Sequence, residues 1–128
     1  MSRSTYHLTE TALTHLEKVL RDTARRWDWR QAETYRDALL RGFQYIADHH
    51  KQLHSPHRNE LTKVTDFCLH LVEHHYVAFK VHDRGDVIIV GLFFEGMNLP
   101  VRLKELQSLS LEEIAALQAL IAAQKAKP

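Results

Sequence analysis

DFCLHLVEHHYVAFKVHDRGDVIIVGLFF, residues 66–94, decides the fold. It contains three short runs, DFCLHLVEH, YVAFKVH and VIIVGLFF, whose β-branched and aromatic residues suit a pleated, half-buried surface. EHH is a tight connection, and DRGD puts Gly85 where a hairpin often needs positive φ. The spacing predicts an antiparallel meander of three strands. Downstream, Glu95-Gly96-Met97-Asn98 reads as an irregular exit from the last strand.

Upstream of this stretch the period lengthens. STYHLT, residues 4–9, reads as a short strand, and Thr9 three residues before Ala12 is a partial helix-start signal. Leu13, Leu16, Leu20, Ala24 and Trp27 then recur at three- and four-residue steps, as one apolar stripe of a helix should. WDW interrupts the stripe. Ala32, Tyr35, Leu39, Phe43 and Ile46 form a second one, which runs into the polar DHHKQLHSPHRNE, where Pro56 opposes further helix. Two amphipathic helices and a sheet bury their apolar sides most simply on each other. The expectation is an α+β two-layer domain that leaves one sheet face open.

The tail has its own pattern. Ser110 and Glu113 read as a capping box before IAALQALIAAQKAK, with lysines near the end where the helix dipole favours them. Ile114, Leu117 and Ile121 share one face, with Leu120 beside them, so this helix is expected to dock on its own domain.

Composition bounds the function. The chain has 128 residues, 45% hydrophobic and 26% charged, enough for one domain that buries roughly two thirds of its unfolded surface. Its 17 Lys+Arg balance 16 Asp+Glu, so any basic site must be local. A single cysteine, Cys68, forms no internal disulfide, and no segment approaches the roughly 20 apolar residues of a membrane span. A cytoplasmic protein with Cys68 as a small buried hydrophobe is expected. Ten histidines include His49, His50, His54 and His57, then His70, His74 and His75, but their spacing lacks the tight Cys/His or carboxylate pattern of a zinc site. No metal and no cofactor are expected.

LTETALTHLEKV, RRWDWRQAETYRDALLRGFQYIADH, HSPHRNEL, HHYVAFKV and DVIIVGLFFEGMNLP, in that order, resemble the ParE/RelE superfamily of bacterial type II toxins, and the ParE branch most. The resemblance spans about residues 6–103. It implies a toxin domain over residues 1–103, an N-terminal strand and helical hairpin packed on an antiparallel sheet, with residues 104–128 as a helical extension. It also implies a cognate antitoxin as partner. The exit from the last strand resembles a family segment that ends in Met-Asp-Leu-Pro or similar, here Met97 to Pro100.

Two modes of action follow from the resemblance. RelE-type toxins cut messenger RNA on the ribosome with basic and hydroxyl groups on a concave sheet face. This chain departs from that pattern at Lys80, where the family carries arginine, at Phe79, which lacks a hydroxyl, and at Gly91 and Phe94. Arg58, Lys63, Lys80 and Arg102 are the charges open to such chemistry, and His70, His74 or His75 the acid/base; Lys80, His75, Arg58 and Arg102 are the set to test. ParE-type toxins instead bind DNA gyrase and stall it with the DNA cut, which arrests growth and stabilises plasmids, and perform no chemistry. That binding mode is the expected one, without membrane contact or sequence-specific DNA binding by the toxin alone. An inactivated relative kept as an interaction module is the third reading. Candidates for contact with target or antitoxin are Arg26, Trp29 and Arg30 in RRWDWR, together with Lys80, Met97 and Arg102, since exposed Trp and Arg are enriched at binding hot spots. Trp27 is expected in the core, as the end of the first stripe.

Overall fold

The computed structural model describes residues 5–53, 67–82, 86–96 and 98–126. Along the chain run β1 (Tyr6–Leu8), α1 (Glu10–Arg26), α2 (Trp29–Leu53), β2 (Cys68–Val72), β3 (His75–Val81), β4 (Val87–Phe94) and α3 (Leu99–Ala126). The α+β class, the hairpin of helices and the β2–β3–β4 meander are as expected. Glu73, at φ 55°, makes the tight turn between β2 and β3. Gly85 and Pro56 lie outside the described residues. The sheet order is β1-β4-β3-β2, and β1 pairs parallel to β4, with Tyr6 opposite Val87 and Leu8 opposite Ile89, so the sheet is mixed.

Thr9 joins sheet to hairpin. Its N–H donates to the Ile89 carbonyl at 3.1 Å, and its Oγ accepts from the Ala12 N–H at 3.0 Å, which satisfies an orphan donor at the start of α1. Behind this cap, Ala12 and Leu16 of α1 and Leu39, Phe43, Ile46 and Ala47 of α2 pack on Cys68, Val72, Val77, Phe79, Val87, Ile89 and Leu92. Leu13 is exposed, so the true face of α1 is turned by one residue from the predicted stripe, toward Ala12, Leu16, Val19 and Leu20.

The second sheet face is not open. Leu99, Leu103, Leu106, Ile114 and Ile121 of α3 cover Phe67, Ala78, Ile88, Val90 and Phe93, giving a third layer. The tail helix docks on its own domain, but Leu120 points away and is exposed. α3 also begins earlier than expected: Asn98 accepts the Arg102 N–H at 3.2 Å, and Pro100 sits in the first turn, where a missing N–H is harmless. The apparent irregular exit is therefore a turn at Glu95 and Gly96 followed by a helix start. α3 runs without a break through residue 103.

The capping-box reading fails for the same reason. Ser110 lies inside α3, fully buried, and its Oγ has no hydrogen-bond partner among the described residues. Glu113 serves another helix: its carboxylate accepts from the Thr11 N–H and the Thr11 hydroxyl, both at 2.7 Å. A carboxylate at a helix N-terminus meets orphan donors and the positive end of the helix dipole. Thr9 and Glu113 together cap α1, one from the preceding strand and one from the far end of the chain.

A bulge lets the three layers meet. Ala78 pairs with Gly91 while Phe79 pairs with Ile89, so Val90 is the extra residue on β4. There the His15 Nδ1 accepts the Leu92 N–H at 3.1 Å. A Cβ at Gly91 would stand 3.0 Å from the Leu106 side chain and 3.2 Å from the His15 ring, so a larger residue would have to push those two side chains aside.

Candidate functional site

Both tryptophans of the chain lie where α1 turns into α2, and both are exposed, Trp27 by 73% and Trp29 by 67%. The core placement expected for Trp27 is thus overturned. α1 stops at Arg26, the Trp27 backbone leaves helical geometry at φ −122° and ψ −90°, and among the described residues no layer stands opposite the hairpin tip. Periodicity put Trp27 on the right side of the helix, but its side chain is left largely in solvent. Asp28 starts α2 by accepting the Gln31 N–H at 2.8 Å. Arg25, Arg26 and Arg30 are exposed around the two indoles, and the first turn of α2 holds no acidic residue. Three sequence candidates, Arg26, Trp29 and Arg30, are therefore gathered on one tip, with Trp27 added by the structure.

His75 stands elsewhere, at the start of β3. The Tyr35 hydroxyl lies 2.6 Å from its Nδ1 and accepts the His74 N–H at 3.3 Å, while the His74 ring lies 3.2 Å from the Glu95 carboxylate. Phe94 meets the His75 ring edge-on. Burial chiefly, and then the neighbouring His74, hold the His75 pKa below 6.5, partly offset by Glu95. Burial raises that of Tyr35, against the bond from His74. A neutral His75 accepting from tyrosine is the consistent state, and the pair reads as a pin between α2 and the sheet. The sequence placed Tyr35 on a core stripe and gave no sign of this partner 40 residues away.

Lys80 is half-buried on β3. Alternation along the strand puts it on the side of Tyr76 and Ala78, which face α3, whereas His75 faces the helical hairpin. Arg102, in the first turns of α3, is exposed and 3.4 Å from Glu105. Arg58 and Met97 lie outside the described residues, as do Lys63, His54 and His57. Phe79 is fully buried beneath the hairpin, so the hydroxyl it lacks would not reach a surface. The structure therefore does not bring Lys80, His75 and Arg102 together.

Three further histidines have structural partners. His50 is buried beside the Ala47 carbonyl, and Tyr45 stacks with both His49 and His70. Cys68 is buried, as expected, and its thiol pKa is pushed up to about 11 by burial. Among the described residues no three His, Cys, Asp or Glu side chains are gathered for a metal ion.

His15 and His75 predict a pH dependence. Burial lowers both pKa values from 6.5, with Lys18 adding to the effect on His15 against Glu113. The unfolded chain then binds protons first as pH falls, so stability is complete above 6.5 and declines below it, through the lowered native values. Urea midpoints measured across this range should fall with acidification, and His75→Asn should flatten the slope. An unchanged slope in that variant would remove His75 from the account.

A family model described as ParE toxin of type II toxin-antitoxin system, parDE, matches residues 6–98. The match stops just before α3. No curated protein matches the chain.

Proposed function

We propose, because the chain belongs to the ParE family of type II toxin–antitoxin toxins, that it acts by binding DNA gyrase and stalling it with the DNA cut. A cognate antitoxin would neutralise it, and its place of action would be the cytoplasm. Among the described residues no helix is long and apolar enough to cross a membrane.

The observation that carries binding over chemistry is the separation of His75 from Lys80. Five positions of extended chain span about 17 Å, and the two side chains leave opposite faces of the sheet. Cleavage of RNA through the ribose 2′-hydroxyl needs a base, an acid and a positive charge within a few ångströms of one phosphodiester. α3 further covers the sheet face on which Lys80 lies. A binding toxin needs none of that convergence. It needs an accessible surface, and the tip with Arg26, Trp29 and Arg30 is the best candidate for the target. Lys80, Met97 and Arg102 remain candidates for contact with target or antitoxin.

Purified protein is expected to inhibit supercoiling by gyrase or to trap cleaved DNA, while ribosome-bound messenger stays intact. Induced expression should arrest growth, and co-expression of the antitoxin should restore it. Messenger cuts in the ribosomal A site that disappear in Lys80→Ala or His75→Ala would establish the nuclease reading instead. Normal growth with soluble, folded protein would leave an inactivated relative.

A further inference from the structure

We infer that the hairpin tip binds a single nucleic-acid strand, stacking bases on Trp27 and Trp29 and contacting phosphates through Arg25, Arg26 and Arg30. The inference rests on the reading of the tip as the contact surface, and not on gyrase as the target.

Both indoles are more than two-thirds exposed, at 73% and 67%. Burying such a ring typically stabilises a fold by a few kcal/mol, so a chain with only two tryptophans that leaves both mostly in solvent gains little from them in folding. One residue separates them, which limits their Cα atoms to about 7 Å apart, roughly two base steps at the ~3.4 Å rise of a stacked strand. Two indoles carried on backbone positions this close can serve neighbouring bases of one strand.

The charges fit the same ligand. Residues 21–36 contain Arg21, Arg25, Arg26, Arg30 and Arg36 and no lysine, against Asp22, Asp28 and Glu33, and of the arginines Arg36 is paired with Asp37 at 3.4 Å. Guanidinium is the group that matches phosphate through two parallel donors and also stacks on rings. The acid between the tryptophans, Asp28, is engaged as the cap of α2. The excess of positive charge is local in a chain of net charge +1.

Other occupants fit less well. An acidic peptide offers carboxylates to the arginines but no flat faces to the indoles. A lipid surface calls for large aliphatic neighbours around the tryptophans, and residues 21–31 hold only Ala24 besides the indoles themselves.

Fluorescence anisotropy of a labelled oligothymidylate, titrated with the full-length chain at about 50 mM salt, tests the inference. Binding should quench tryptophan emission and weaken with salt. Trp27→Ala/Trp29→Ala should weaken binding at least about ten-fold, the size expected for stacking, while the melting curve stays that of the wild type. Arg25→Ala/Arg26→Ala should lower the salt slope by roughly one to two units. Absence of binding by the wild type, equal binding by the tryptophan variant, or preference for a duplex of the same length would overturn the inference. A parallel supercoiling assay separates the two readings. Strand binding without any effect on gyrase would leave the tip as inferred and remove the target. Loss of gyrase inhibition in the tryptophan variant, with no strand binding by the wild type, would assign the tip to a protein surface and overturn the inference alone.

Discussion

Deleting residues 110–128 is expected to lower the melting temperature by roughly 10–20 °C, because about 3–5 kcal/mol of packing and capping leaves with them. Ile114 and Ile121 are buried against the sheet and Leu117 is partly so. Each such side chain contributes about 1.5 kcal/mol or more on burial. Glu113 adds two hydrogen bonds to Thr11, and hydrogen bonds to a charged group are worth about 1.5–3 kcal/mol each at most, less where they are half-exposed. The loss is a large fraction of the net stability of a domain this size. Thermal melts by circular dichroism, with an apolar dye to report exposure of the second sheet face, measure both consequences. A truncated chain that melts with the full-length protein would show that the last half of α3 serves something other than its own fold. Glu113→Ala separates the cap from the apolar contacts, and should account for only a small part of the shift.

Phe79→Ala is expected to destabilise the chain by about 3–5 kcal/mol, as for other fully buried phenylalanines. Phe79 has no exposed surface and lies at the centre of the layer between hairpin and sheet, among Leu39, Phe43 and Ile46. Urea unfolding followed by far-ultraviolet dichroism gives the difference. The companion variant Trp29→Ala should stay within about 0.5 kcal/mol of the wild type, since its ring is mostly in solvent. The contrast matters because both positions are aromatic and only one belongs to a surface. A Phe79→Ala chain as stable as Trp29→Ala would contradict the placement of β3 under the hairpin.

Much of the candidate site was legible in residue types alone. Exposed Trp and Arg at RRWDWR carried the signal, and the interruption of the helical period at WDW located the tip. The depth of Trp27 was not legible, because a periodic stripe reports the direction of a side chain and not whether another layer stands opposite. The pairing of Tyr35 with His75 was equally hidden, since neither residue departs from its local pattern.

The sequence by itself determined the kinds and order of the elements: a short strand, two amphipathic helices, three strands and a last helix. These follow from periods of two and of three to four residues, from Thr9 at a helix start and from the β-branched runs after Thr62, all read within a few neighbours. Tertiary structure alone decided the parallel seat of β1 on β4, the bulge at Val90, and the use of the second sheet face to seat α3. It also turned Glu113 from the expected cap of its own helix into the cap of α1, across 102 positions of chain. Local pattern specifies which side of an element avoids water and which groups await partners. Which distant element answers depends on contacts that close only when the layers come together.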